Sequence, residues 1–217
     1  LLPSILDPWA ANALYEADAL AKANPGSKVW LVSAAPKAKL QQVLMALAQK
    51  APFELLPLDA PAGGFTDAME CALALAEAVQ SIEGLDRSRL LLFGGWESAS
   101  RGAGTTLSVL GEKLGLTEQF QGVDKLTVGA DGSLEILERV EGGKHQVSVL
   151  SSPPAVLGWA TGGRAEPPNN PQIGMANMRA LMPSLQRAKA VKLPGEGLSL
   201  KSVALPRQQR DTPVVKI

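Results

Sequence analysis

The sequence predicts an α/β protein: a doubly wound, mostly parallel sheet with a β-hairpin extension and an extended C-terminal tail. Three observations carry this. Strand-like and helix-like segments alternate as far as residue 115, the order that builds a parallel sheet covered by helices. One strand-like run, "RLLLFGG" (89–95), is almost continuously apolar, as strands buried on both faces are. A Gly-rich turn follows it and rises into a helix, at the place where open α/β sheets hold ligands.

Asp7-Pro8 marks the first helix start, because Asp caps free N–H groups and Pro suits the first helical position. Ala10, Leu14, Ala17 and Ala21 then share a face until "NPG" (24–26) ends the helix. "KVWLVSAAP" (28–36) reads as a strand, "KAKLQQVLMALAQK" (37–50) as a helix with Leu40, Val43, Leu44 and Leu47 at helical spacing, and "PFELLPL" (52–58) as a second strand. Asp67 with Glu70 forms a capping box for a helix running to Gly84, whose apolar positions Cys71, Leu75 and Val79 place the lone cysteine in the core. Beyond "RLLLFGG" a helix begins near Thr105. From residue 123 to 160 the pattern alternates with period two, broken by "ADGS" and "EGGK", which are hairpin turns. One further helix is expected at 174–190, ahead of a tail with too little apolar periodicity to fold alone.

These segments divide the chain into an α/β unit over residues 1–160, its hairpin at 123–160, and a docking loop, short helix and extended segment over 161–217. Of the 217 residues, 46% are hydrophobic, enough for one sizeable core with a small appendage. Lys plus Arg equals Asp plus Glu at 21 each, so no net field draws the chain to nucleic acid or an anionic membrane surface. One cysteine excludes an internal disulfide and an iron–sulfur cluster, and one histidine, His145 in a polar hairpin, leaves no zinc constellation. A reducing, cytoplasmic setting without membrane insertion is expected, and the opening at Leu1 leads us to expect sequence upstream.

Known catalytic signatures are missing. There is no Gly-Lys-Ser/Thr of a Walker loop, no G-x-G-x-x-G and no G-x-S-x-G, and the acidic residues show no pairing suited to acid–base work. What remains is "GGWESASRGAG" (94–104), whose glycines let backbone N–H groups approach an anion beside a helix N-terminus. The alternative is a loop of small residues that turns a corner.

Several stretches together resemble the beta subunit of electron transfer flavoproteins. "AGTTLSVLGEKLGL" (103–116) is similar to the family's D-x-x-T-G-Q-V loop and the helix ending L-L-G-L. "DPWAANALYEADALAK" (7–22) resembles its "NPFDENALEEALRLK", and "LVSAAP" (31–36) its "VVSxGP". "ERVEGGKHQVSVLSSPPAVLGW" resembles the family's Gly-Gly hairpin and "LPAVVT" strand, "MPSLQRAKA" (182–190) its "LPxIMKAKK", and "LPRQQRDTPVVKI" (205–217) its "PPQRTAGVKV" ending. The matches are collinear over nearly the whole chain.

The resemblance implies a Rossmann-like fold of the adenine nucleotide alpha hydrolase-like kind and a heterodimer with an alpha subunit that binds most of the FAD. Electrons would pass from a flavin dehydrogenase to a quinone-linked or other acceptor, with AMP or a second FAD held in this subunit. No catalytic residue is implied. The nucleotide contacts implied are Asp7, Pro8, Trp9, Ala10, Leu31, Ala34, Gly94, Ser100, Arg101, Gly102, Ala103, Gly104, Thr105 and Thr106. Two other functions are compatible with the same residues: a nucleotide-free scaffold subunit of that complex, and a free-standing adenine-nucleotide-binding protein.

The chain departs from the family pattern at several points. Gly102 stands for the family aspartate, Ala103-Gly104 for Thr-Gly and Thr105 for Gln, while Arg101 brings a guanidinium that can pair with phosphate or lie on the surface. The family's first strand has no counterpart, and "QQVLMALAQKAPFELL" lacks the Gly-Ala-Asp turn. The loop that docks a dehydrogenase or an iron–sulfur/quinone oxidoreductase is longer here, and its end near Met175–Met182 offers Met175, Met178 and Leu181 either for docking or for packing at home.

Overall fold

A computed structural model describes residues 5–193, 195, 201, 202 and 204. Helix α1 (Pro8–Ala23) starts where the sequence places it: Asp7 Oδ1 accepts the Trp9 N–H at 3.0 Å, and Pro8 takes the first turn. It leads into β1 (Trp30–Ser33), α2 (Lys37–Leu47) and β2 (Glu54–Asp59), which pairs with β1 in parallel. Helix α3 (Ala68–Gln80), capped by Asp67 through the Met69 N–H, precedes β3 (Leu91–Gly95) and α4 (Thr105–Lys113). Then follow β4 (Gln119–Val128), β5 (Leu134–Val140), β6 (Lys144–Leu150), β7 (Ala155–Trp159), α5 (Pro171–Gln186) and the two-residue β8 (Lys189–Ala190).

The fold is the expected Rossmann-like, doubly wound α/β arrangement, with its described strands in two groups. One is parallel throughout, in the order β1-β2-β8. The other runs β3-β7-β4-β5-β6, parallel across β3, β7 and β4 and antiparallel from β4 to β6. The period-two alternation expected over 123–160 shows in β4 from Val123 and at the start of β5, whereas β6 is exposed over Lys144–Val147 and β7 departs from it altogether. Its five residues are all buried, so it cannot lie on a half-solvated hairpin and instead returns between β3 and β4.

Helices α3 and α4 cover one face of β3 and β7, packing Ala72, Ala76, Val79, Leu107 and Leu110 on Leu92 and Val156. Helix α1 covers the other face, where Ala13 meets Leu157 and Trp159, and Phe93 stacks on Trp159 at 5.5 Å. Helices α2 and α5 pack on β2 through Leu40, Leu44, Leu55, Leu181 and Leu185.

Cys71 is a partial correction. It is half-buried and stands at the margin, because α3 buries its small residues Ala72, Ala74, Ala76 and Ala78 with Val79. Burial first, then the charges of Glu70 and Asp67, push its thiol above the usual range. Glu70 Oε2 accepts the Gly195 N–H at 2.9 Å. Of the extended tail expected after residue 190, residues 191–193, 195, 201, 202 and 204 are described, and its ending over 205–217 lies outside the described residues.

Candidate functional site

The Gly-rich turn leaves the carboxyl end of β3 and crosses to α4. Its glycines permit close packing within the chain. A Cβ on Gly95 would come within 2.8 Å of Trp9 Cβ, so the first turn of α1 rests directly on the strand. A Cβ on Gly104 would collide with the Trp96 carbonyl oxygen and lie 3.3 Å from its carbon, so the two ends of the loop touch backbone to backbone. Gly94 gives room to Leu107 of α4, and Gly102 takes a left-handed φ of 63°.

Ser98 ties the loop. Its N–H donates to the Ala103 carbonyl at 2.9 Å, its own carbonyl accepts from Gly102 at 2.7 Å and Arg101 at 3.2 Å, and its Oγ accepts the Ala103 N–H at 3.3 Å. The Ala99 N–H donates to Asp7 Oδ2 at 2.8 Å. One carboxylate therefore caps α1 and fastens the loop to it. The sequence shows Asp7 as a cap; its second contact, 92 residues away, has no local signal.

With these donors engaged, the first turn of α4 is the part of the loop whose N–H groups have no side-chain cap. Gly104 caps it without any side-chain hydrogen bond, leaving the N–H groups around Thr105 and Thr106 to the positive end of the helix dipole. Ser100 and Arg101 are exposed at the loop tip. Trp9 and Ala10 are brought against Gly95 and Asp7 against the loop at Ala99, with Pro8 between them in the first turn of α1. Leu31 and Ala34 lie on and just past β1, in the other group of strands, with Leu31 packed against α1, α2 and α5.

Around the same strand ends lie four buried side-chain polar atoms without a hydrogen-bond partner: Nε1 of Trp9, Trp96 and Trp159, and Gln121 Oε1. Trp96 follows β3 and its ring touches the place of Gly122, Gln121 is paired with Gly158 of β7, and Trp159 ends β7. Buried donors and acceptors are ordinarily satisfied; among the described residues these four have no partner within the chain.

Beside them is a network that sequence reading missed. Arg139 of β5 grips Asp124 of β4 with two hydrogen bonds, at 2.8 and 3.0 Å, and reaches Thr161 Oγ1 at 2.6 Å, while His145 Nε2 lies 3.0 Å from Asp124 Oδ2. Burial draws the Asp124 carboxyl upward, but the hydrogen bonds from Arg139 and His145, the guanidinium charge and the Thr161 N–H outweigh it and hold the group below the usual carboxylate range. The network locks the hairpin to the segment leaving β7. Among the described residues no group of three His, Cys, Asp or Glu is arranged to hold a metal ion, and no helix is long and apolar enough to cross a membrane.

Met175, Met178 and Leu181 lie on helix α5, not in a loop; the irregular segment before it is 161–170. Leu181 is buried, and Met178 and Met182 pack against the same core, whereas Met175 and Ile173 are exposed. Packing within the chain thus accounts for Met178 and Leu181 but not for Met175.

The family model described as the electron transfer flavoprotein domain matches residues 2–187. No curated protein matches the chain.

Proposed function

The chain belongs to the electron transfer flavoprotein family, and we propose that it is a beta subunit that pairs with an FAD-binding alpha subunit and holds an adenine nucleotide, AMP or a second FAD. On this reading it serves a relay from a flavin dehydrogenase to a quinone-linked or other acceptor. FAD, when bound, supplies the chemistry of accepting and releasing electrons. This chain's residues bind and orient.

The observation that carries the nucleotide is the group of unpartnered buried atoms at Trp9, past the end of β3 at Trp96, at the end of β7 and at Gln121 within β4, together with the first turn of α4, which has no side-chain cap. In this reading the N–H groups of Thr105 and Thr106 face the phosphate and the exposed Arg101 closes over it. Asp7 holds the loop in register with α1, while Trp9 and Trp96 offer indole N–H groups. Met175 and Ile173 give the redox partner an adaptable apolar contact.

A nucleotide-free scaffold is the second reading. It is favoured by the loop itself, whose glycines are filled by the chain's own atoms and whose amides at Ala99, Arg101, Gly102 and Ala103 are already used. Purifying the chain with its alpha partner, denaturing the complex and measuring released FAD and AMP by mass spectrometry separates the two. AMP or a second FAD beyond one FAD per heterodimer supports the nucleotide site. A single FAD leaves the scaffold.

A further inference from the structure

A formal charge of zero conceals a segregation of charge along the chain. Although the chain has as many acidic as basic residues, no Asp or Glu falls within 34–53 or 167–193, the stretches that supply α2, α5 and their flanks. The same stretches carry Lys37, Lys39, Arg179, Arg187, Lys189 and Lys192. They also hold Lys50, which is used within the chain: its mostly buried side chain binds Glu166 at 2.6 Å and the Pro167 carbonyl at 3.0 Å. Asp59, at the margin of α2, accepts the Lys37 N–H at 2.8 Å.

The fold brings the two acid-free stretches together. Gly174, in the first turn of α5, leaves room for Gln49 just past the end of α2, and Asn177 Nδ2 donates to the Ala48 carbonyl at 2.8 Å. At the opposite end Lys37 Nζ donates to the Gln186 carbonyl at 3.1 Å, so the helices lie side by side and antiparallel. Their apolar faces are consumed inside, where Leu40, Leu44, Leu181 and Leu185 join one core cluster. What the pair leaves outside includes Lys39, Arg179, Arg187 and Lys189, all exposed. Met45, Ile173 and Met175 are exposed with them, at 61%, 49% and 62%. Gln49 lies against Gly174, one residue from both Ile173 and Met175 and one helical turn from Met45, while Arg179 stands one turn beyond Met175.

A face with cations and no carboxylate of its own draws an anionic surface, and the apolar side chains decide which kind. A helix that lies on a lipid surface turns its apolar face to the acyl chains and anchors with aromatic rings. Here the apolar faces of α2 and α5 are already spent on the core, and neither helix contains an aromatic residue. A phosphate backbone would pair with the cations but has no use for exposed Ile and Met side chains. An acidic protein surface uses both: carboxylates for the cations, and an apolar spot for Ile173 and the pliable Met45 and Met175. Small contacts steered by charge are also what short-lived electron-transfer encounters rely on.

We propose that the outer face of the α2–α5 pair docks an acidic patch of the redox partner, whose carboxylates meet Arg179, Arg187, Lys39 and Lys189 around an apolar contact made by Met45, Ile173 and Met175. The inference rests on the reading of the chain as part of an electron relay and adds the chemistry of the surface that the relay partner presents. It extends the contact from α5 alone to both helices.

The test titrates the isotope-labelled chain, alone and in complex with its alpha partner, with a short peptide of Glu, Asp and Leu, and follows amide chemical shifts. The shifts are expected to move on α2 and α5, with the dissociation constant rising about tenfold or more between about 50 mM and about 300 mM salt. Arg179→Glu with Arg187→Glu is expected to weaken binding about tenfold or more. Lys125→Glu with Lys144→Glu, which changes the net charge equally at exposed hairpin positions, is expected to leave it unchanged. Equal losses in the two double variants, or shifts that map elsewhere, would overturn the proposal. So would tighter binding through these helices to phosphatidylglycerol-containing vesicles or to duplex DNA, or loss of peptide binding in the complex, which assigns the face to the alpha subunit. The titration uses neither flavin transfer nor released nucleotide, so its failure and that of the nucleotide measurement are read separately.

Discussion

Replacing Gly104 with alanine tests the backbone contact that closes the loop. The backbone there has φ −117°, which alanine accepts, so the effect comes from space alone. The added Cβ would fall inside 3.0 Å of the Trp96 carbonyl oxygen, 3.3 Å from its carbon and 3.6 Å from Glu97 Cα. These are backbone atoms and cannot rotate away, so restoring van der Waals contact moves one side of the loop by roughly 1 Å. Overpacking of this kind costs about 1–3 kcal/mol, and in a chain of this size about 2 kcal/mol lowers Tm by about 4–8 °C. Gly63→Ala is the matched control, because a Cβ there meets nothing within 4 Å. Circular dichroism melts of the three proteins decide the matter. A Gly104→Ala protein that melts with the wild type and Gly63→Ala would refute the close approach of Trp96 and Gly104.

Gly158→Ala should destabilise by a similar amount, because its Cβ points into the Gln121 side chain, and adding Gln121→Ala should recover most of the loss; urea titrations of the single and double variants measure the coupling. Asp7→Ala removes a helix cap and the tie to Ala99 together, an expected cost of about 2 kcal/mol, with faster hydrogen exchange at the Ala99 amide as its local sign. Asp124 carries a carboxyl held below its unfolded value, so its contribution is complete above the ordinary carboxylate range and disappears as pH falls through that range towards the folded value. Melting from about pH 6 to about pH 3 should therefore fall less steeply in Asp124→Asn than in the wild type. The raised thiol of half-buried Cys71 should react with a disulfide reagent near pH 8 at least about tenfold more slowly in the folded than in the denatured protein.

Local signals made much of the fold legible. Asp7-Pro8 announces α1, the Asp67 cap announces α3, and the Gly-rich break announces α4 at Thr105, because caps and turns act over a few residues. Partnership between strands is different. "RLLLFGG" reads as a strand with two buried faces, but an apolar run does not say which strands pair with its edges, so the pairing of β3 with β7 was not legible. The return of β7 was hidden for the same reason, although its unbroken apolar "AVLGW" differs from β5 and β6, where apolar and polar residues are mixed. At the candidate site the helix start and glycines were legible, whereas the Ser98 tie, the Asp7–Ala99 bond and the Asp124 network depend on tertiary geometry. Asp124 meets Arg139, His145 and Thr161 across separations of 15, 21 and 37 residues, which only the strand register brings together.

The two oxygens of Asp7 make α1 and the loop after β3 a single mechanical piece. From there α1 runs beneath both groups of strands, with Ala13 in the cluster around Trp159 and Leu14 and Tyr15 in the cluster with α2. It is a strut whose fixed end is the loop. Loop residues 98–99 and β1 are thereby joined by one rod about 24 Å long for 16 residues, so the seating of the loop and the spacing of the two groups of strands share a single support.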